Sequence, residues 1–320
     1  MFVVWSDNEN EAAWFIALDK RLAGARTQTI KGRGMNPAYI DELVHYDRPD
    51  IILCHNDRPI MVLEKTQEVP TGHNVGQRFA RLVRAIEHNV PTLYFLPFDA
   101  RKHGAYSSMC YLNVRLLKAL ERLSDLHGAP AVAVNWPCKT DGNLVWSGEE
   151  NIEVAELVSE IVSEGLPGPR WSAQRREQRK QWLARTSIRP EYADFPDSVQ
   201  MVSTATLPQT YAIKLDQMSE RARARDNSAV YTMDMAPDKC KRQDPYTGMQ
   251  FIYDYGWLRN GPRPENRTAN LFLHIPRVDV RTWLVNNPED YTTKSCNWYL
   301  AADGIILSDG FISITTWPSV

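Results

Sequence analysis

Apolar runs alternate with amphipathic stretches along the first half of the chain. The apolar runs predict strands at 2–5, 51–54, 60–66, 91–97 and 130–136. Apolar side chains at helical spacing predict helices near 6–24, 39–44, 75–88, 107–126 and 152–162, the first of them capped by Ser6 or Asp7. This alternation places the first half in the α/β class, and the long helical crossovers favour parallel strands.

The pattern changes after residue 198. Short β-rich runs at 211–215, 229–233, 250–255, 270–275, 304–307 and 311–316 are separated by Pro, Asn and Gly, which predicts a mixed or mainly β second domain. The stretch Gly165-Leu-Pro-Gly-Pro169 marks the end of the first domain. We therefore predict an α/β domain at 1–165, a basic helical linker at 166–198 and a β-rich domain at 199–320.

The composition is that of an ordinary globular protein. The chain has 320 residues, of which 43% are hydrophobic and 24% charged, and this length suffices for a large core and two domains. No apolar run approaches the roughly 20 residues that a membrane span needs. The first residues carry no basic leader, so we expect a cytoplasmic protein without membrane contact. The five cysteines lack Cys-x-x-Cys spacing, which favours a reducing compartment and argues against structural zinc.

Several common enzyme motifs are missing from the sequence. There is no phosphate-binding Gly-x-x-x-x-Gly-Lys-(Ser/Thr) loop, no Gly-x-Gly-x-x-Gly after a strand and no Gly-x-Ser-x-Gly elbow. The net charge of −2 leaves nucleic-acid binding open, because a nuclease can confine its positive charge to a cleft.

The most informative stretch is the predicted hairpin at 51–66, whose strands are joined by a polar turn at 55–59. Asp50 precedes the first strand, and Glu64 lies near the end of the second. Since a hairpin brings these two positions together, we expect the two carboxylates and nearby carbonyl oxygens to form a Mg²⁺ site. The alternative is a buried hairpin with charged ends and ordinary turn residues.

The same residues resemble a known family. Pro49-Asp50, followed by Glu64-Lys65-Thr66, is similar to the Pro-Asp…(Asp/Glu)-X-Lys signature of the restriction-endonuclease-like nuclease superfamily. The resemblance covers roughly residues 8–97 and implies an αβββαβ core in which Asp50 and Glu64 bind Mg²⁺ and a lysine helps to activate water. Thr66 stands where the family has this lysine. Lys65 lies one residue earlier and faces the other side of the strand unless the strand is bulged.

The resemblance also draws attention to residues on the flanking helices. It implies that Glu11 on the first helix and Gln77 on the helix after the hairpin lie near the metal. His73, just after the predicted metal strand, and Arg81, on the same helix face as Gln77, are candidate accessory residues. Each has an alternative role. Glu11 sits in a first helical turn, where an acidic side chain complements the helix dipole, and Gln77 and Arg81 can share a solvated helix face.

Two basic regions are candidates for DNA contact. The segment after residue 169 is rich in arginine and carries Trp171 and Trp182, which suits phosphate contact, although a charged helix that bridges two domains explains it equally well. The second half contains loop residues of the types that recognise base edges and that also occur in any exposed loop. The predicted DNA-binding residues are Arg175, Arg176, Arg179, Lys180, Lys239, Lys241 and Arg242.

Together these features predict a Mg²⁺-dependent, sequence-specific endonuclease that resembles a type II restriction enzyme. The catalytic residues would be Asp50, Glu64, Lys65, Thr66 and Gln77, and the partner would be double-stranded DNA. We expect a homodimer, because a two-fold protein matches a palindromic site. One alternative is a non-catalytic DNA-binding protein on a decayed nuclease core. Another is a metal-dependent phosphoesterase that acts on RNA or on a small phosphorylated substrate.

Overall fold

The computed structural model describes residues 1–69, 73–101, 108–188, 199–240, 256–287 and 298–314. Within these ranges the protein has a mixed α/β fold with two mixed β-sheets, a short separate hairpin and surrounding helices. None of the helices in the described ranges combines the length and the apolar composition that crossing a membrane requires.

The first half is built on a six-stranded sheet. Its order is β2-β1-β3-β4-β5-β8, and β6 and β7 form the separate hairpin. The strands are β1 (Phe2–Ser6), β2 (Arg26–Thr29), β3 (Ile51–His55), β4 (Arg58–Lys65), β5 (Thr92–Leu96), β6 (Asp99–Arg101), β7 (Met109–Tyr111) and β8 (Ala131–Asn135). The helices are α1 (Glu9–Ala17), α2 (Ala38–Asp41), α3 (His73–Glu87), α4 (Val114–His127), α5 (Ile152–Glu164) and α6 (Pro169–Ile188).

Strand direction determines where the polar strand ends gather. β3 is antiparallel to both β1 and β4, so β1 and β4 run in the same direction, and β5 and β8 are parallel to β4. The carboxyl ends of β1, β4, β5 and β8 therefore meet at one edge of the sheet. In open α/β sheets this edge is where ligands bind.

Two helix starts differ from the prediction because asparagines cap them. The side chain of Asn8 accepts a hydrogen bond from the Glu11 amide, so Asn8 caps α1 in place of Ser6 or Asp7. The helix expected at 107–126 begins only at Val114, since Asn113 caps it and residues 109–111 pair with β6 instead. Short polar side chains that compete for backbone amides explain both shifts.

The central hairpin turns more tightly than predicted. Asn56 and Asp57 both have positive φ angles, of 49° and 62°, as a two-residue hairpin turn requires. The strands therefore extend to His55 and from Arg58, and the five-residue turn expected at 55–59 is wrong. A register shift between Leu53 and Cys54 places the irregularity of the ladder close to this turn.

Helix α6 covers the edge of the first sheet. Ala133 lies on the edge strand β8; its amide donates to Gln178 Oε1 at 2.7 Å, and its carbonyl accepts from Gln174 Nε2 at 2.6 Å. Gln178 also donates to the carbonyl of Leu117 on α4 at 3.3 Å. The segment predicted as a basic linker thus contains a helix whose glutamine side chains pair with backbone groups of the edge strand β8.

The second half is built on a five-stranded sheet of order β13-β12-β11-β10-β9, in which β10, β11 and β12 are parallel and the outer strands antiparallel. Its strands are β9 (Val199–Ser203), β10 (Asn227–Thr232), β11 (Ala269–Ile275), β12 (Gly304–Leu307) and β13 (Phe311–Ser313), and its helices are α7 (Leu207–Thr210), α8 (Glu220–Arg223) and α9 (Val280–Asn286). This half is mixed rather than mainly β.

One predicted strand of the second half is wrong. Residues 211–215 follow the short helix α7, which has a proline at its start, and lead into a 3₁₀ turn at Leu215–Gln217. The apolar Ile213 packs into a small cluster on one side of the second sheet, so its burial does not need a strand. The strand predicted at 250–255 lies outside the described residues.

The two halves contact each other through apolar and charged groups. Buried residues of both sheets belong to one continuous hydrophobic cluster. Arg259 forms a buried ion pair with Glu87 of α3 at 3.1 Å, and Arg122 of α4 donates to the carbonyl of Gly256 at 3.1 Å. The division at 165 and 198 remains a prediction.

The sheet-edge contacts make α6 a testable part of the fold. We expect Gln178→Ala to lower the free energy of unfolding by about 1–3 kcal/mol, because the buried Ala133 amide loses its acceptor. Gln181→Ala on the same helix removes only a contact to the exposed Glu177 and should cost less than about 0.5 kcal/mol. Urea denaturation measures both values, and equal losses would contradict the edge-covering role.

Candidate metal centre

A cleft of about 630 Å³ opens at the sheet edge where β1 and β4 end. Its walls come from the start of α1, the end of β4 and the side of α3. The charged residues that line it are Asp7, Glu11, Asp50, Lys65, Glu68, Arg78 and Arg81. Carboxylates and cations therefore share a single opening.

The hairpin places Asp50 beside Glu64. Ile51 pairs with Leu63 in an antiparallel ladder, so Asp50, which precedes Ile51, lies opposite Glu64, which follows Leu63. Asp50 Oδ2 accepts a hydrogen bond from the Lys65 amide at 2.7 Å, which ties the segment before β3 to the end of β4. Glu64 is fully buried and Asp50 is 6% exposed.

Glu64 is held by two arginines of α3. Its Oε1 accepts from Arg81 at 2.7 Å and from Arg78 at 3.2 Å. Arg81 also binds Asp47 Oδ2 through Nε at 3.0 Å and lies 3.6 Å from Asp50 Oδ1. Glu64 Oε2 is buried and has no donor within the described part of the chain.

Three carboxylates converge on the open side of this cluster. Asp7, Glu11 and Asp50 each offer an oxygen, and these oxygens lie within 4.8 Å of one another. Glu11 Oε2 is buried and, among the described residues, has no hydrogen-bond partner. A donor set made only of carboxylate oxygens, with unsatisfied buried oxygens beside it, fits a hard divalent cation such as Mg²⁺.

Burial dominates the electrostatics of the centre. Burial raises the pKa of Glu64 to about 8, while Arg81 acts in the opposite direction and Asp50 adds to the increase. Burial also raises the pKa of Asp50 and of Glu11, although Arg81 opposes the first shift and the Asn8 side chain the second. The centre therefore carries fewer negative charges at neutral pH than its carboxyl groups suggest.

No protein-family model, curated protein or solved structure matches this chain. What the centre does must therefore be inferred from its residues and their geometry.

Lys65 faces the side of the sheet opposite Glu64. Its Nζ lies 4.1 Å from the centre of the Trp14 ring on α1, and Trp14 stacks on Phe95 of β5 at 6.2 Å. The register shift near the turn does not reverse Lys65, because the ladder is regular from Met61 onward. Lys65 lines the same cleft as Glu11 and Asp50; burial lowers its pKa, whereas these two carboxyl groups raise it.

The remaining predicted site residues are distributed around the centre or away from it. Thr66 is buried at the cleft, and its Oγ1 accepts from the Glu68 amide at 3.2 Å. His73 and Gln77 lie in the first turns of α3, and the side chains of residues 73–77 fall outside the described part of the structure. Lys239 is exposed, and Lys241 and Arg242 are also outside the described residues.

The four predicted DNA-binding residues of α6 lie away from the cleft. Arg176 is exposed, while the other three contact nearby carboxylates. These pairs are Arg175 with Asp125 at 2.7 Å, Arg179 with Glu121 at 3.5 Å and Lys180 with Glu177 at 3.4 Å. Two of these pairs join the helix to α4, and its role in DNA contact remains a prediction.

The sequence prediction missed three members of the cluster. Asp7 directly follows β1, so a pairing of β1 with β3 would have placed it at the edge beside Asp50. Asp47 and Arg78 join the centre only through Arg81 and Glu64. No local pattern links these residues, because they come from separate elements.

The raised pKa of Glu64 predicts a pH-dependent stability. Between pH 4.5, its ordinary pKa, and about 8 the native state holds a proton that the unfolded chain releases. The free energy of unfolding should therefore fall as pH rises through this window, by up to about 1.4 kcal/mol per pH unit, and the contribution is lost above it. Glu64→Gln, which cannot titrate, should show a smaller decline in urea denaturation across this range.

The matched control for this measurement is Glu68→Gln. Glu68 is exposed and lies four residues further along the same segment. This variant should retain the pH dependence of the wild type. An identical decline in the wild type and in Glu64→Gln would show that Glu64 is not the titrating group.

Proposed function

We propose that this protein is a Mg²⁺-dependent DNA endonuclease related to the restriction-endonuclease-like superfamily. The observation that carries the proposal is the convergence of Asp7, Glu11 and Asp50, with Lys65 lining the same open cleft. Carboxylates that hold a hard cation, together with a nearby amine, are the parts that metal-assisted phosphodiester hydrolysis needs.

The order of elements supports the proposed family. Along the chain α1 is followed by β2, β3 and β4, then by α3 and β5, which follows the order of an αβββαβ core apart from the short helix α2. The hairpin with Asp50 and Glu64 lies between α1 and α3 along the chain, which supports the comparison with the signature. One feature departs from a simple meander, since β1 lies between β2 and β3 in the sheet.

Each residue of the proposed site has a task that follows from its position. Asp50, Glu11 and Asp7 would hold the ion, and Glu64 is placed next to Asp50 with one oxygen that lacks a donor in the described structure. A bound Mg²⁺ would lower the pKa of a water molecule and stabilise the charge that develops on the phosphate. Lys65 would supply positive charge toward the substrate.

One arrangement favours a second candidate function. Arg78 and Arg81 both donate to Glu64, and Thr66 replaces the family's lysine. A non-catalytic DNA-binding protein on the same core would tolerate both features. Such a protein would bind duplex DNA without cutting it, so the two functions can be separated by experiment.

The proposed activity predicts metal-dependent DNA cleavage. Plasmid and phage DNA should be cut into discrete fragments with Mg²⁺ and remain intact with EDTA. Asp50→Asn and Glu11→Gln should each reduce the cleavage rate at least about a hundredfold, since each removes a charged metal ligand. Agarose gels resolved over time measure these rates.

Asp57→Asn provides the matched control. Asp57 lies at the opposite end of the same hairpin, and asparagine tolerates its positive φ angle. This variant should cut like the wild type. Cleavage that survives both Asp50→Asn and Glu11→Gln would exclude this centre, and a salt-sensitive gel shift without any cleavage would favour the non-catalytic function.

The predicted role of α6 in DNA contact can be tested separately. Arg176 and Lys180 lie one helical turn apart on α6, and both are exposed. If they contact phosphates, the double variant Arg176→Gln with Lys180→Gln should reduce the salt dependence of DNA affinity by about 1 unit of slope per cation. The exposed Lys20→Gln should leave the slope unchanged, and fluorescence anisotropy in a salt series measures all three proteins. An unchanged slope in the double variant would assign α6 a structural role only.

A further inference from the structure

Arg81 is bound to carboxylates on both sides of its guanidinium group. Its Nε contacts Asp47 at 3.0 Å, and its Nη1 contacts Glu64 at 2.7 Å and lies 3.6 Å from Asp50. The side chain is 15% exposed, and the Asp47 and Glu64 side chains are 4% and 0% exposed. A single cation thus lies beside three buried carboxyl groups.

The two ends of Arg81 serve different residues. Asp47 lies outside the cluster of converging carboxylates and anchors the Nε end of the guanidinium. Asp50 belongs to the cluster of Asp7, Glu11 and Asp50, and the Nη1 end reaches toward it. Arg81 is therefore positioned between a fixed anchor and the carboxylate that a metal ion would use.

A divalent cation bound at Asp50 would lie within a few ångströms of this guanidinium. Like charges at that separation repel strongly in a partly buried site. The cation and Arg81 also compete for the same carboxylate, because Nη1 lies 3.6 Å from Oδ1 of Asp50, the residue that would ligate the ion. Both effects lower metal affinity as long as Arg81 keeps its present position.

We propose that Arg81 is a positioning residue that holds Asp50 and Glu64 in the absence of metal and competes with the incoming cation. This proposal rests on the proposed metal centre and concerns its affinity rather than DNA cleavage. Asp47 retains the guanidinium when Asp50 turns to the ion. Arg81 thereby sets the metal concentration at which the centre fills.

The test is the affinity for Mn²⁺ and Mg²⁺ measured by calorimetry without DNA. Arg81→Gln should bind the ion at least about tenfold more tightly than the wild type, since both the repulsion and the competition disappear. The matched control is Arg78→Gln, which removes the same charge from the same helix and cleft but contacts Glu64 alone among the described carboxylates. We expect less than a threefold change for this control.

The outcomes separate competition from a general charge effect. Equal tightening in Arg81→Gln and Arg78→Gln, or weaker binding in Arg81→Gln, would overturn the proposal. Circular dichroism and thermal melting establish that each variant is folded. If Arg81→Gln does not fold, Arg81→Lys is the alternative variant. It keeps the charge but loses the forked guanidinium group, and it should still bind the metal ion at least about threefold more tightly than the wild type. Unchanged affinity in Arg81→Lys would then refute competition through the fork.

Failure of this proposal is distinct from failure of the proposed nuclease. If Asp50→Asn abolishes metal binding but Arg81→Gln leaves the affinity unchanged, the metal centre stands and only the proposed role of Arg81 is wrong. Absence of binding in the wild type and in Arg81→Gln would overturn the centre itself. Tighter binding in Arg81→Gln without cleavage by any form would support the role of Arg81 and contradict the nuclease.

Discussion

The buried hydrogen bond from Arg81 to Glu64 is the contact on which the arrangement of this protein's charged cleft depends. Glu64 comes from the central hairpin and Arg81 from α3, so the pair fixes the helix against the sheet at the depth of the core. A buried carboxyl group without a partner costs folding free energy. Removing either Arg81 or Glu64 alone therefore destabilises the fold, because the remaining group stays buried without its partner. Asp47 and Asp50 are drawn into the same group, which places the start of β3 beside the end of β4.

Sheet topology then decides which other residues reach this group. Because β1 and β4 run in the same direction, the residues after β1 and the end of β4 lie at one edge. Asp7 and Glu11 follow β1 closely and meet Asp50 there, while Lys65 approaches from the opposite face over Trp14. A cleft with charges of both signs results from strand direction rather than from any single motif.

The basic helix illustrates how one element can serve the fold and still present charge to solvent. Gln174 and Gln178 face inward and bond the edge strand through Ala133, whereas Arg176 and Lys180 face outward. The inward residues explain why this helix packs on the first sheet despite its polar composition. The outward residues are the part of the helix that remains accessible to a polyanion.

Local sequence was sufficient for most of the first sheet and for the neighbourhood of Asp50 and Glu64. Apolar runs and helical spacing identify their elements from residues adjacent in the chain, and a hairpin needs only a short loop to bring its ends together. Sequence patterns failed where single side chains compete with a longer pattern, as at the Asn113 cap and the two-residue turn at Asn56. Tertiary structure alone joined Asp7, Asp47 and Arg78 to the centre, because contacts between distant elements depend on strand direction and helix packing, which no local spacing encodes.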